Sequence, residues 1–170
     1  MRGFLIFSIV STALVSGSLL ASTASCPTAE LRFGVHPNIM CLELPLTGER
    51  ADATLALWRA GDGGVAKAAH RDTLADYGFL GFYGAVLAIT GWKASDKLGG
   101  ASARMRAALI AAPIVAAVFD AIENVGIFHM LGATGPASDT VAALTSLCAA
   151  LKFAALITWI AGAARLATRR

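Results

Sequence analysis

Four long apolar runs, separated by shorter polar stretches, dominate the hydrophobic pattern of this chain. They cover residues 3–21, 77–92, 107–131 and 140–163. A helix needs roughly 20 apolar residues to cross the hydrocarbon core of a membrane, and most of the runs approach that length. The pattern therefore predicts an all-α membrane protein, a bundle of four transmembrane helices that are numbered helix 1 to helix 4.

The predicted domains follow from these runs. Helix 1 takes residues 1–22, an extracytoplasmic segment takes 23–75, a region of three transmembrane helices takes 76–165, and a basic tail takes 166–170. Within the segment, the runs LRFGV and CLELPL are rich in β-prone residues and predict a short hairpin. A helix is expected after the hairpin, because Ala51, Leu55 and Trp58 recur on one helical face.

The first run has a second interpretation as a cleaved secretory signal. One basic residue, Arg2, precedes the apolar stretch, and small residues surround Ala24, as in signal peptides. Cleavage there would leave three helices. Retention as a helix or signal anchor is favoured, because residues 3–21 exceed the roughly 7–15 residues of a typical signal core.

The composition of the chain also indicates a membrane protein. Hydrophobic residues make up 56% and charged residues 15% of the chain, and the mean hydropathy is +0.66. An ordinary soluble domain is less apolar and more highly charged. Membrane lipid is therefore a predicted partner. Assembly into a homo-oligomer or a larger membrane complex is also predicted, since four helices are few for a solitary transporter.

The distribution of basic residues predicts the orientation in the membrane. Arg2, the loop between helices 2 and 3 and the tail after helix 4 are basic, whereas the turn 132–139 contains no Lys or Arg. Basic loops tend to stay on the cytoplasmic side. We therefore expect a multi-pass protein of the bacterial inner membrane with both termini in the cytoplasm. The membrane also explains the net charge of +3, so no nucleic-acid partner is expected.

The three cysteines fall on different sides of this topology. Cys26 and Cys41 lie in the extracytoplasmic segment, and Cys148 lies in helix 4. An oxidising compartment would permit a disulfide between the first two, which would stabilise the segment by roughly 3 kcal/mol in the chain-entropy model. The alternative is that both are unpaired small residues.

Helix 3 carries three polar residues, Asp120, Glu123 and Asn124, within an otherwise apolar run. At about 100° per residue they share one helical face, which should point into the bundle because ionisable groups facing lipid are costly. At a rise of 1.5 Å per residue, Asp120 is expected about 16 Å below the outer end of helix 3, and Lys152 about 18 Å down the antiparallel helix 4. The sequence therefore predicts an Asp120–Lys152 pair at mid-membrane.

Helix 2 adds two more polar residues to this site. Asp76 lies at its outer end, and Tyr83 follows seven residues later on the same face. With helix 3 they predict a polar funnel that descends from the outer surface to the Asp120–Lys152 pair. The carboxylates outnumber the lysine, so protons or a bound cation must balance their charge.

Three interpretations of this cluster stay open. It can bind a small ligand, a lipid headgroup or a cation. It can instead lock the helices together in an accessory or scaffold subunit of a larger complex, through hydrogen bonds worth roughly 0.6 kcal/mol each. It can also serve a membrane enzyme, with Glu123 or Asp76 as acid or base and Lys152 as electrostatic stabiliser.

A role without catalysis is favoured, because no nucleophile with an adjacent base is visible. The catalytic residues and the cofactor therefore stay unknown. No metal site is predicted, since the chain lacks the Glu-x-x-His motif of di-metal helix bundles.

The polar residues of these three helices also resemble a known pattern. Asp76-Tyr77-Gly78-Phe79 with Tyr83, Asp120-Ala121-Ile122-Glu123-Asn124 and Leu151-Lys152-Phe153 are similar to the D-[FY]-x-F-x-x-x-Y, D-x-x-E-N and L-K motifs of an uncharacterised family of small bacterial four-helix integral membrane proteins. The likeness spans nearly the whole chain, including LELPLTGERADATLALW. It implies that helix 1 is retained, and it implies no particular activity.

Overall fold

The computed structural model describes residues 2–21, 39–60, 63–98 and 101–168. These residues form the helices α1 (Arg2–Ala21), α2 (Met40–Glu43), α3 (Gly48–Arg59), α4 (Gly64–Leu98), α5 (Ala103–Gly132) and α6 (Asp139–Thr168). The predicted helices 1 to 4 correspond to α1, α4, α5 and α6. No strand occurs in the described ranges, so the all-α prediction is confirmed there.

Three of these helices, α4, α5 and α6, are long and apolar enough to cross a membrane. Helix α4 begins at Gly64, inside the predicted extracytoplasmic segment, and continues without a break into its apolar part. Within α1 the apolar stretch is shorter and covers Gly3–Leu14. The described residues are therefore compatible with a multi-pass membrane protein, and a fourth crossing by α1 stays a prediction.

The three long helices pack side by side, with α5 in contact along both α4 and α6. Small residues permit the close approach. A Cβ atom on Gly91 of α4 would meet the backbone of Leu109, and one on Gly126 of α5 would collide with the hydroxyl of Thr145. Small residues at helix interfaces are a general feature of packing in membranes.

Apolar side chains also cover the outside of the bundle. Phe82 of α4, Val118 of α5 and Ile157 of α6 are 68%, 53% and 59% exposed. In water such a surface would be an aggregation hazard, whereas hydrocarbon solvates it without penalty. Helix α1 lies against α6 and α4 and buries Leu5 completely.

Helix α3 packs over the end of the bundle where α5 ends and α6 begins. Thr47 caps its N-terminus, because the side-chain oxygen accepts a hydrogen bond from the amide of Arg50. The predicted apolar face is confirmed, since Ala51, Leu55 and Trp58 are buried in one cluster with Ile127 of α5 and other residues of α5 and α6.

Polar contacts fasten α3 to the turn between α5 and α6. Asp139 Oδ1 accepts a hydrogen bond from the Gly48 amide at 2.7 Å, and Asp52 Oδ1 accepts one from the Ala137 amide at 2.9 Å. Arg59 donates to three carbonyl oxygens at the C-terminal end of α5, two at 3.0 Å and one at 3.4 Å, where basic groups are favourable. These contacts hold α3 against the end of the bundle.

The predicted hairpin is wrong for CLELPL, because Cys41–Glu43 belong to helix α2. The other half of the hairpin, LRFGV, lies outside the described residues. Leu42 is fully buried beneath α3, and Glu43 contacts Lys152 of α6. Tertiary contacts of this kind outweigh a weak local preference for strand.

The described cysteines differ in their bonding state. Cys41 takes part in a disulfide bond, and Cys148 is a free, buried thiol. Cys26 lies outside the described residues, so its pairing with Cys41 stays a prediction.

Candidate functional site

The ammonium group of Lys152 lies at the centre of a buried polar site. Its Nζ atom lies 3.0 Å from Asp120 Oδ1, 2.9 Å from Glu123 Oε2 and 3.3 Å from Glu43 Oε2. It donates one hydrogen bond to each of the three carboxylates. Since an ammonium group has three donors, Lys152 has none left for a further acceptor.

The position of this contact follows from the geometry of α5 and α6. Asp120, Glu123 and Asn124 are all buried on one face of α5, as the helical spacing predicts. The antiparallel course of α6 places Lys152 at the same depth, and the Asp120–Lys152 contact expected from the helical rise is present. Burying these groups inside the bundle avoids the cost of exposing them to lipid.

Helix α4 supplies the remaining predicted residues, Asp76 and Tyr83. The Tyr83 hydroxyl donates to Asp120 Oδ2 at 3.0 Å, and the Asn124 amide donates to Asp76 Oδ2 at 2.8 Å. The structure thus brings the six residues singled out in the sequence into one neighbourhood. Together with Glu43 they are referred to below as the polar cluster.

Glu43 of α2 is the member that the sequence pattern did not reveal. It is separated from Lys152 by 109 positions and lies in the segment predicted to form a hairpin. The available signal is a single acidic residue inside the apolar run Leu42-Glu43-Leu44. An acid in such a run needs a partner when the run is buried, but the run itself does not indicate which partner.

Asp76 differs from the other carboxylates of the polar cluster. Its only side-chain hydrogen bond among the described residues comes from the neutral amide of Asn124. No ammonium or guanidinium group of these residues forms an ion pair with it. In contrast, Glu43, Asp120 and Glu123 share Lys152.

Glu123 is the most deeply buried carboxylate and is fully inaccessible to solvent. Its Oε1 atom accepts the hydrogen bond from Lys152. Its Oε2 atom lies closer to Nζ, at 2.9 Å, but has no hydrogen-bonding partner in the described structure. The ion pair is therefore close but incompletely hydrogen-bonded. Lys152 Nζ also lies 5.2 Å from the ring centre of Phe153, within cation–π range.

Two clefts reach the polar cluster. The first has a volume of about 420 Å³ and lies between α2, α3 and α4, where Trp58, Asp72 and Thr73 line it; we name it the α3 cleft. The second has a volume of about 280 Å³ and lies between α1, α4 and α6, where Ser11 and Phe82 line it; we name it the α1 cleft. Glu43 and Asp76 line both clefts, so the two meet at these carboxylates.

The described residues offer little support for metal or nucleophilic chemistry. No three His, Cys, Asp or Glu side chains among them are arranged to hold a metal ion. His70 lies outside the polar cluster and packs edge-on against the ring of Phe128, with centroids 4.8 Å apart. Cys148 is a buried thiol without a hydrogen-bonded base in this part of the chain.

The polar cluster combines four carboxyl groups with one ammonium group, and the ammonium has no free donor. Such an arrangement can attract positive charge and can accept hydrogen bonds through Asp76 and Glu43. It offers no cationic group for an anionic ligand. Comparison of the chain with protein-family models, with curated proteins and with solved structures finds no match, so its function must be inferred from this geometry.

Proposed function

We propose that this chain is a multi-pass membrane protein whose polar cluster binds a small, positively charged ligand. The observation that carries the proposal is the environment of Asp76. This carboxylate lines both clefts, accepts a hydrogen bond from Asn124 and has no cationic partner among the described residues. A ligand cation at Asp76 would supply the missing charge.

The charge balance of the polar cluster favours a cation over an anion. Lys152 is the one basic residue of the cluster, and its three donors are directed at Glu43, Asp120 and Glu123. An anionic group would find no free donor on Lys152 and would meet Asp76 at close range. A cation instead relieves the repulsion between neighbouring carboxylates.

The α3 cleft provides the access route in this proposal. Its volume of about 420 Å³ falls in the range of roughly 300–1,000 Å³ typical of small-molecule sites. A cluster that only locked helices in register would need no cleft leading to it. Asp76 would also attract cations along the cleft, whereas Asp72 is paired with Arg71 and Glu43 with Lys152.

We further propose the location of the protein. Lys93, Lys97, Arg104 and Arg106 lie near the junction of α4 and α5, whereas the turn 132–139 has no basic residue. Basic loops favour the cytoplasm, so the α3 cleft would open on the opposite side of the bacterial inner membrane. The likeness to the four-helix family implies that α1 is retained as the fourth crossing, and both termini would then be cytoplasmic.

Calorimetry with a small amine tests the cation site. The protein is purified in uncharged maltoside micelles and titrated with n-propylammonium chloride, with n-propanol as the neutral ligand of similar shape. We expect binding of the ammonium ion and not of the alcohol. Asp76→Asn should weaken binding at least about tenfold, because it removes a charge-assisted contact while keeping an oxygen that can accept from Asn124.

Asp96→Asn serves as the matched control, because Asp96 is an exposed carboxylate of the same helix, paired with Arg106 at 2.9 Å. It should bind propylammonium as the wild type does. If propylammonium fails to bind the wild type, or binds Asp76→Asn equally well, the cation site is refuted. The polar cluster would then be better explained as a lock between helices in an accessory subunit.

A further inference from the structure

The walls of the α1 cleft are more apolar than those of the α3 cleft. Apart from the polar residues at its base and the hydroxyls of Ser11 and Thr12, its walls are apolar side chains: Phe79, Phe82, Val86, Leu87, Phe153 and Leu156. A small hydrophilic cation gains nothing from such walls. They indicate that part of the ligand is a hydrocarbon group.

The walls of the α1 cleft reach the outer surface of the bundle. Phe79 and Phe82 line it and are 57% and 68% exposed. They lie on α4, which is long and apolar enough to span a membrane. In a membrane this side of the cleft faces hydrocarbon, so an apolar chain can enter it sideways from the lipid phase.

We propose that the ligand is a membrane amphiphile with an alkyl chain and a primary ammonium head. This inference rests on the proposed cation site and deepens it. The ammonium head binds at Asp76 and Glu43, where the two clefts meet. The chain lies in the α1 cleft and leaves the protein between α1 and α4.

The chemistry of the head follows from the groups that surround it. Asp76 and Glu43 present carboxylate oxygens, which accept hydrogen bonds from the N–H groups of a primary ammonium ion. A phosphate beside the ammonium, as in a zwitterionic phospholipid, would meet these carboxylates and find the donors of Lys152 already engaged. The site therefore selects an amine without a phosphate.

The size of the α1 cleft limits the apolar part. Its volume of about 280 Å³ is smaller than the 420 Å³ of the α3 cleft. The proposed ligand therefore carries a single alkyl chain.

A chain-length series tests this inference. Ethyl-, propyl-, butyl-, hexyl- and octylammonium chloride are titrated into the protein in uncharged maltoside micelles, and the free concentrations are corrected for partition into protein-free micelles. We expect affinity to rise by up to about fourfold per methylene, the gain for burying a CH₂ group. The rise should level off when the chain fills the cleft.

Two valine-to-phenylalanine substitutions distinguish binding in the α1 cleft from binding to the general apolar surface. Val86→Phe places a larger side chain in the α1 cleft, whereas Val118→Phe makes the same change on an exposed face of α5. Val86→Phe should abolish the gain in affinity with chain length. Val118→Phe should retain the gain, and circular dichroism of both variants verifies the fold.

The outcomes distinguish the amphiphile from the cation site itself. If the short amines bind through Asp76 but the chain-length gain is the same in Val86→Phe as in wild type, the amphiphile is refuted and the cation site stands. If octylammonium binds equally well to Asp76→Asn, both proposals are refuted. Loss of octylammonium affinity in Asp76→Asn and Val86→Phe, but not in Val118→Phe, supports both.

Discussion

Glu43 of α2 and Lys152 of α6 form an ion pair at 3.3 Å, although α2 lies in the segment between α1 and the three long helices. The ion pair attaches the short helix α2 to the centre of the bundle. It also places a carboxylate where both clefts meet. The segment before α3 is therefore a part of the site and not only a connection.

The first prediction concerns the charge at the centre of the polar cluster. Lys152→Met removes the ammonium group and leaves Glu43, Asp120 and Glu123 without a cationic partner. Breaking a buried ion pair on one side costs roughly 3–5 kcal/mol. We expect a strong loss of stability, measured as a lower midpoint of thermal unfolding by circular dichroism in maltoside.

Lys97→Met is the control for this change, because Lys97 lies at the exposed end of α4. It should unfold at nearly the wild-type temperature. A Lys152→Met variant as stable as Lys97→Met would show that the buried ammonium group is not needed to balance the carboxylates.

The second prediction concerns the attachment of α2. Glu43→Gln retains the shape of the side chain but weakens its contact with Lys152, while the Asp120 and Glu123 contacts persist. Hydrogen exchange followed by mass spectrometry should show faster exchange in peptides that cover α2 and little change in α5. Glu49→Gln, an exposed change on α3, should leave both regions unchanged. Equal exchange in the two variants would contradict a role for Glu43 in holding α2.

The third prediction tests the close packing of α5 against α6. Gly126→Ala puts a Cβ atom against the hydroxyl of Thr145, and such overpacking typically costs about 1–3 kcal/mol. Gly78→Ala is the matched change, because nothing lies within 4 Å of a Cβ at that position. It should be neutral or stabilising by about 0.5–1 kcal/mol, since alanine favours helix over glycine.

Thermal unfolding of both glycine variants in the same detergent provides the measurement. The double variant Gly126→Ala with Thr145→Ala should recover part of the lost stability, because the colliding hydroxyl is removed. If Gly126→Ala is as stable as Gly78→Ala, the helices are not as closely packed there as the structure shows.

The fourth prediction concerns the cysteines. Cys41 is disulfide-bonded and Cys148 is free, so denatured protein should take up one alkyl group without reductant and three after reduction. Intact-mass spectrometry counts the added groups. Peptide mapping should identify Cys26 as the partner of Cys41 if the predicted pairing holds. Uptake of three groups without reductant would rule out the disulfide.

The core of the polar cluster could be predicted from the sequence alone. The spacing of Asp120, Glu123 and Asn124 is set by the helical repeat, and the depth of Lys152 is set by the helical rise and a short turn between antiparallel helices. The repeat, the rise and the short turn all depend on residues that are close together in the sequence. The same holds for α3, whose cap at Thr47 and apolar face follow from short-range rules.

The positions of Glu43 and of the two clefts could not be predicted in this way. Packing against α3, α5 and α6 determines where α2 lies, and no periodic pattern in the sequence encodes that packing. The β-prone residues of CLELPL even indicate the wrong local structure, because burial of Leu42 and the contact of Glu43 with Lys152 decide it.

The sequence by itself determined that long apolar helices carry an inward polar face, because hydrophobicity and helical periodicity are properties of neighbouring residues. Only the tertiary structure decided that Asp76 has no ion-pair partner among the described residues and that two clefts converge on it. Those features depend on the relative positions of α1, α2, α4 and α6, and packing between distant parts of the chain sets these positions.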